Sequence, residues 1–183
     1  MAASVDVLTE GYADDRVASS VVLIRDGGLV AIVDPGMVND RTTAILKPLA
    51  GLGIDPSDVT DVVFSHHHPD HTVNAALFLN AQIHDFQAIY VGDVWTDREA
   101  EGYRLSESVW LLETPGHTPQ DISTLATTAD GLVVCTHLWW YEGGPDEDPY
   151  AADASLLMAS RQRILDLRPA LIVPGHGAAF SPT

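Results

Sequence analysis

A single cysteine, Cys135, among 183 residues excludes an intrachain disulfide and with it a cross-linked secreted scaffold. Its setting, Leu132-Val133-Val134-Cys135-Thr136, places the thiol on a buried strand, where it is expected to be inert packing. Lysine is equally scarce: Lys47 is the only one, and Lys plus Arg number 9 against 26 acidic residues, a formal net charge of −17. No basic cluster breaks this excess. The densest, Arg161-Gln162-Arg163, reads as one solvated helix face, so long-range electrostatics oppose RNA, DNA and anionic membranes as partners. No stretch approaches the roughly 18–20 apolar residues of a membrane span. The opening Met1-Ala2-Ala3-Ser4-Val5-Asp6 lacks the basic region and apolar core of a secretory leader, which makes a cytoplasmic location the expectation. Nor does a Ser-His or Cys-His nucleophile pattern appear.

What is present suits one packed domain over residues 1–183. Hydrophobic residues make up 46% of the chain, and its 14 Gly and 11 Pro are scattered, not gathered in a linker. Apolar runs over 16–25 and 29–33 flank Asp26-Gly27-Gly28 as a β-hairpin, and Asn39 or Asp40 can cap a helix carrying Ile45 and Leu49. A buried strand over 59–65, a short helix over 72–79, strands over 81–83 and 108–113, a hairpin over 122–136, a helix over 151–167 and a strand over 170–173 complete the pattern. Strands and helices alternating in blocks point to an α/β layered fold.

The most specific feature is His66-His67-His68-Pro69-Asp70-His71. An expression tag or His-rich tract would be terminal or compositionally biased. This run is internal, interrupted by Pro69 and Asp70, and follows a strand, so it reads as a strand-end loop with no helix running through it. On such a loop His66 and His68 can face one ion while Asp70 and His71 turn toward a neighbouring position. Two later segments repeat one device, an apolar run closed by Pro-Gly-His: Pro115-Gly116-His117 and Pro174-Gly175-His176. Pro stops the strand and Gly allows a tight turn, which presents each His from a rigid strand end.

Together these segments resemble the metallo-β-lactamase superfamily: His66, His68, Asp70 and His71, then His117 and His176, with Asp34 and Gly36 matching an early Asp-x-Gly that ends a strand. Within it the likeness leans to the branch of metallo-β-lactamase domain-containing protein 1 and its bacterial relatives, through Thr114-Pro115-Gly116-His117, Asp146-Glu147-Asp148 and Val173-Pro174-Gly175-His176-Gly177. The resemblance covers about residues 17–178. It implies a four-layer αββα sandwich with one or two metal ions at one edge, zinc most often and iron or manganese in some members. It implies His66, His68 and His117 around one ion, Asp70, His71 and His176 around the other, and Asp34 as an anchor behind a ligand. The departure is His137, which stands where dinuclear members carry a bridging Asp. A neutral imidazole offers one nitrogen lone pair, so His137 is expected to ligate one ion, with hydrogen bonding to bound water or a structural role as alternatives. His67 and His84 are expected to stay outside the ligand set.

Three His ligands around an ion leave a position for water and lower its pKa to roughly 7, so metal-bound hydroxide and hydrolysis are the expected chemistry, with Asp70 orienting the water. Leu138-Trp139-Trp140-Tyr141 follows His137, and Trp139, Trp140 and Tyr141 are read as an apolar substrate wall or lid. A small ester, lactone or thioester is the expected substrate. An RNA endonuclease or phosphodiesterase, which the resemblance allows and the charge opposes, is the alternative, beside non-heme iron redox chemistry and a non-catalytic metal-binding protein. Whether the chain forms a homodimer is left open.

Overall fold

In a computed structural model, which describes residues 2–182, two β-sheets pack face to face. The first has seven strands in the order β1-β4-β5-β6-β7-β8-β9. These are β1 (Ser4–Thr9), β4 (Val21–Asp26), β5 (Leu29–Val33), β6 (Asp61–Val63), β7 (Gln82–His84), β8 (Ala88–Val91) and β9 (Val94–Asp97). The second holds β10 (Val109–Glu113), β11 (Ile122–Thr128), β12 (Gly131–Thr136) and β13 (Leu171–Pro174), in that order. A separate small hairpin, β2 (Tyr12–Ala13) with β3 (Val17–Ala18), completes the strands.

The period-2 pattern of β4 explains the layering. Val22 and Ile24 point to the inter-sheet core, where Val33 and Val63 meet Val109, Leu111, Ile122, Cys135 and Val173 of the second sheet. Val21 and Leu23 point the other way, and with Ile32 and Val62 they bury Ile45 and Leu49. Those two lie on a π-helical turn (Thr42–Leu46) running into α1 (Lys47–Gly51). On the far side, Leu125, Val134 and Ile172 bury Leu157 and Ile164 of α3 (Ala154–Asp166). Helix, sheet, sheet, helix is the expected αββα sandwich. No helix among the described residues is long and apolar enough to cross a membrane.

Three local expectations need correction. Pro69 starts a helical turn, α2 (Pro69–Thr72), because Pro is accepted at the first helical position, so Asp70 and His71 stand on that turn instead of on a loop. The helix expected over 72–79 is a 3₁₀ turn, Val73–Leu77. The last helix starts at Ala154, not 151, since the Asp153 carboxylate accepts from the Ser155 and Leu156 N–H groups and fixes the cap.

Candidate metal centre

Five strands end at one edge of the sandwich, and each delivers a side chain to it. Asp34 follows β5 in the left-handed region, φ 49°, a conformation a non-glycine residue holds only where its surroundings fix it. Its carboxylate is doubly engaged, accepting from the Ser65 N–H at 2.7 Å and from His71 Nδ1–H at 2.7 Å. β6 leads to His66 and His68, and α2 then carries Asp70 and His71. β10 leads to His117, β12 to His137 and β13 to His176. The turns are tied to one another: Ser19 N–H donates to the Asp70 carbonyl at 3.0 Å, Gly36 N–H to that of His71 at 3.0 Å, and Ser20 N–H to that of Gly175 at 2.7 Å.

Four imidazoles share one arrangement: a protein group holds Nδ1 and leaves Nε2 to the interior. His66 Nδ1 meets Ser65 Oγ at 3.0 Å, His71 Nδ1 donates to Asp34, His117 Nδ1 donates to Asp148 at 2.7 Å, and His176 Nδ1 donates to the Ala18 carbonyl at 3.0 Å. A carboxylate or carbonyl can only accept, so it fixes the proton on Nδ1 and the lone pair on Nε2. These lone pairs converge. Asp70 Oδ2 lies 3.4 Å from His71 Nε2 and 3.6 Å from His176 Nε2, and His68 Nδ1 lies 3.1 Å from His117 Nε2. His66 Nε2 and His71 Nε2 are buried with no hydrogen-bond partner, an orphaned state that divalent cations held by the cluster would relieve.

His137 stands in the middle. Its ring centroid is 4.7 Å from those of His66 and His71, 4.3 Å from His117 and 5.0 Å from His176. Ligand atoms of His66, His117 and His137 lie within 4.8 Å of one another, and so do those of His71, His137 and His176. Burial, reinforced by the neighbouring rings, pushes His66 and His137 well below the ordinary imidazole value. Burial lowers His117 and His176 as well, so all four rings are neutral and able to ligate near neutral pH. Nitrogen and oxygen donors in this number suit zinc, iron or manganese.

A cavity of about 570 Å³ opens over this cluster. Ala13, Asp14 and Val17 of the β2–β3 hairpin line it together with Trp140 and Tyr150, whose rings stack 6° from parallel at 5.8 Å. Of the three aromatics expected there, only Trp140 lines it. Trp139 is 7% exposed and sits in the core beside Leu138, against Phe180 and beneath Arg161, because the chain bends after β12 and turns both side chains inward. Tyr141 is half exposed, outside the cavity lining, with its ring against Gly144. Tyr150 and Asp148 were not anticipated as site residues. Asp148 holds both His117 and the Trp140 indole N–H, the latter at 3.2 Å. The acidic Asp146-Glu147-Asp148 segment was the one sequence signal for it. As expected, His67 and His84 stay outside, paired with Asp85 at 3.1 Å and Asp61 at 2.7 Å.

The family model of the metallo-beta-lactamase superfamily matches residues 14–176. The chain belongs to that superfamily. It is 35% identical to metallo-beta-lactamase domain-containing protein 1 of Xenopus laevis, over 97% of this chain and 81% of that protein. It is 32% identical to an N-acyl homoserine lactonase of Bacillus cereus, over 70% of this chain and 57% of the lactonase. A Thermotoga maritima protein solved as a candidate metallo-beta-lactamase shares the fold, with a TM-score of 0.78, 23% identity and full coverage of both chains. As a member of this superfamily with a convergent His cluster, the protein is a metal-dependent hydrolase.

Proposed function

We propose that the enzyme hydrolyses small, uncharged esters, lactones or thioesters at a zinc centre, with iron or manganese as the other metals its donors suit. The reading rests above all on four imidazoles whose Nδ1 atoms are tied to protein groups and whose Nε2 atoms converge beneath an open cavity. In this assignment His66, His68 and His117 serve one ion and Asp70, His71 and His176 another, with His137 between them. A bound divalent cation supplies Lewis acidity, lowering the pKa of water to near 7 and polarising a carbonyl oxygen.

The chain's own groups do the rest. Asp34 and Asp148 keep the His71 and His117 rings in the tautomer that presents Nε2. Asp70, facing the cavity beside His71 and His176, accepts a proton from the attacking water and returns it to the leaving alkoxide or thiolate. The Trp140–Tyr150 stack, with Ala13 and Val17 in the same lining, holds an apolar acyl or alkyl part and excludes water around it. The cavity lining carries carboxylates and no Lys or Arg, which disfavours phosphodiesters and supports esters over RNA. We assign the activity to one domain spanning residues 1–183, working in the cytoplasm.

The test is a panel of neutral esters, lactones and thioesters against zinc-loaded enzyme, with EDTA and a single-stranded RNA as controls. Turnover of at least one class, abolished by EDTA, is expected. A fully metal-loaded protein inert to the whole panel, or one that cleaves RNA in preference, would sink the proposal.

A further inference from the structure

Both buried His triads run through one ring. His137 joins His66 and His117 in the first and His71 and His176 in the second, while His68 stands beside His117 and Asp70 beside His71 and His176. Only one face of that ring is free. His137 Nδ1 is buried with no hydrogen-bond partner and lies against Gly175, so close that a Cβ there would come within 2.0 Å of it. An ion cannot be held on each nitrogen, as an imidazolate bridge requires, because the Nδ1 side is closed by Gly175 backbone. That leaves Nε2, with one lone pair and room for one ion.

The charges around the ring agree. Two adjacent dications repel unless an anion lies between them, and at the central position this chain has a neutral imidazole. The carboxylates nearby are committed elsewhere. Asp34 and Asp148 are spent on His71 and His117, while Asp70 approaches only the His71 and His176 side. We infer that the centre holds one divalent ion firmly and a second at least a hundredfold more weakly, because His137 can serve only one half-site at a time and Asp70 gives its carboxylate to the His71 and His176 side alone. This rests on the metal-hydrolase reading of the cluster. It adds that the two half-sites are unequal by construction, where a shared carboxylate would let them fill together.

The experiment is metal counting. Protein stripped with chelator is titrated with Co(II) and with Zn(II) by calorimetry, then desalted and its metal measured per chain. Wild type is expected to retain one ion per chain, with the second event at least a hundredfold weaker. His137→Asp, whose carboxylate offers two oxygens where the imidazole offers one lone pair, is expected to retain two. Two ions retained by wild type with affinities within tenfold of each other would overturn the inference, as would a folded H137D that still retains one. If H137D fails to fold by circular dichroism, the wild-type titration decides alone. Ester turnover, run beside the titration, keeps the two proposals separate. Two equal ions with turnover defeats this inference and leaves the hydrolase assignment standing, one firm ion without turnover does the reverse, and no bound ion defeats both.

Discussion

Gly175→Ala perturbs His137 without replacing any of the proposed ligands. The new Cβ would meet Nδ1 at 2.0 Å, Cε1 at 2.8 Å and Cγ at 3.1 Å. Ordinary contact begins near 3.4 Å, so the ring must retreat by about 1.4 Å. It has nowhere to go. Four other imidazoles surround it with centroids 4.3 to 5.0 Å away, and the Gly175 backbone is pinned by its N–H to the Trp139 carbonyl at 2.9 Å and its carbonyl to the Ser20 N–H at 2.7 Å. Overpacking of this kind costs about 1–3 kcal/mol, and a displacement near 1 Å in a reacting constellation can cost about 10²-fold in rate.

The expected outcome is a folded variant, destabilised by about 1–3 kcal/mol in chemical denaturation, with kcat/KM on the best ester down by roughly 10²-fold and firm metal retention weakened. Gly28→Ala, where a Cβ meets nothing within 4 Å, is the control and should change none of these. The double variant G175A/H137A removes the clash and should recover the stability lost by G175A but not its activity, a coupling visible in a double-mutant cycle. A G175A protein with wild-type metal affinity and turnover would refute the placement of His137 at the working centre.

Asp148→Asn should weaken metal binding by about 10–100-fold, since His117 loses the acceptor that fixes its tautomer; unchanged affinity by competition with a chelating dye would contradict this. Tyr150→Ala should raise KM for apolar esters with metal content unchanged, whereas Trp139→Ala should cost about 3–5 kcal/mol of stability and leave KM alone; the reverse pattern would place Trp139, not Tyr150, at the substrate. Burial would raise the Asp85 carboxyl, but His67, the Tyr90 hydroxyl and the Gln87 and Ala88 N–H groups outweigh it and hold Asp85 at about 2. Because the folded value lies below the unfolded one, this stabilisation is full above the ordinary 3.8 and is lost as pH falls toward 2. Asp85→Asn should therefore lose stability at pH 7 and flatten the acid limb of the stability curve between pH 4 and 2; an unchanged limb would exclude Asp85 as its source.

How much of this was legible in the chain depends on whether a signal is local. His66 to His71 and the two Pro-Gly-His turns are local, since strand pattern, breaker and ligand adjoin in sequence. The layering was legible in strands and helices alternating in blocks, whereas β4 is an unbroken apolar run, Val21-Val22-Leu23-Ile24, because different partners bury both of its faces. β8 and β9 carry no such signal for the opposite reason: Val91, Val94 and Trp95 are 56–60% exposed, so no buried face imposes a period there. Trp139, Trp140 and Tyr141 do not act as a trio because the chain bends after β12 and sends Trp139 into the core with Leu138, Trp140 to the cavity and Tyr141 to the surface. Tyr150 and the partnership of Asp148 with His117, 31 residues away, are set by the return of the chain before α3.

The placement of acid gives the −17 charge a local meaning. Asp34, Asp70 and Asp148 all lie within one residue's reach of the imidazole cluster, and Asp14 lines the same cavity, with no Lys or Arg in the lining. Such a field concentrates a dication and repels a phosphate or carboxylate substrate, so the same charges that favour loading also filter what is turned over. Once an ion is seated the sign at the centre reverses, but only within a short distance, since screening at physiological salt acts over about 8 Å. The carbonyl of a neutral ester feels the cation without first crossing an acidic rim as an anion. A phosphodiester must cross it. Anionic esters should therefore be penalised mainly in KM and progressively less as salt is raised, whereas neutral esters should be nearly indifferent to salt.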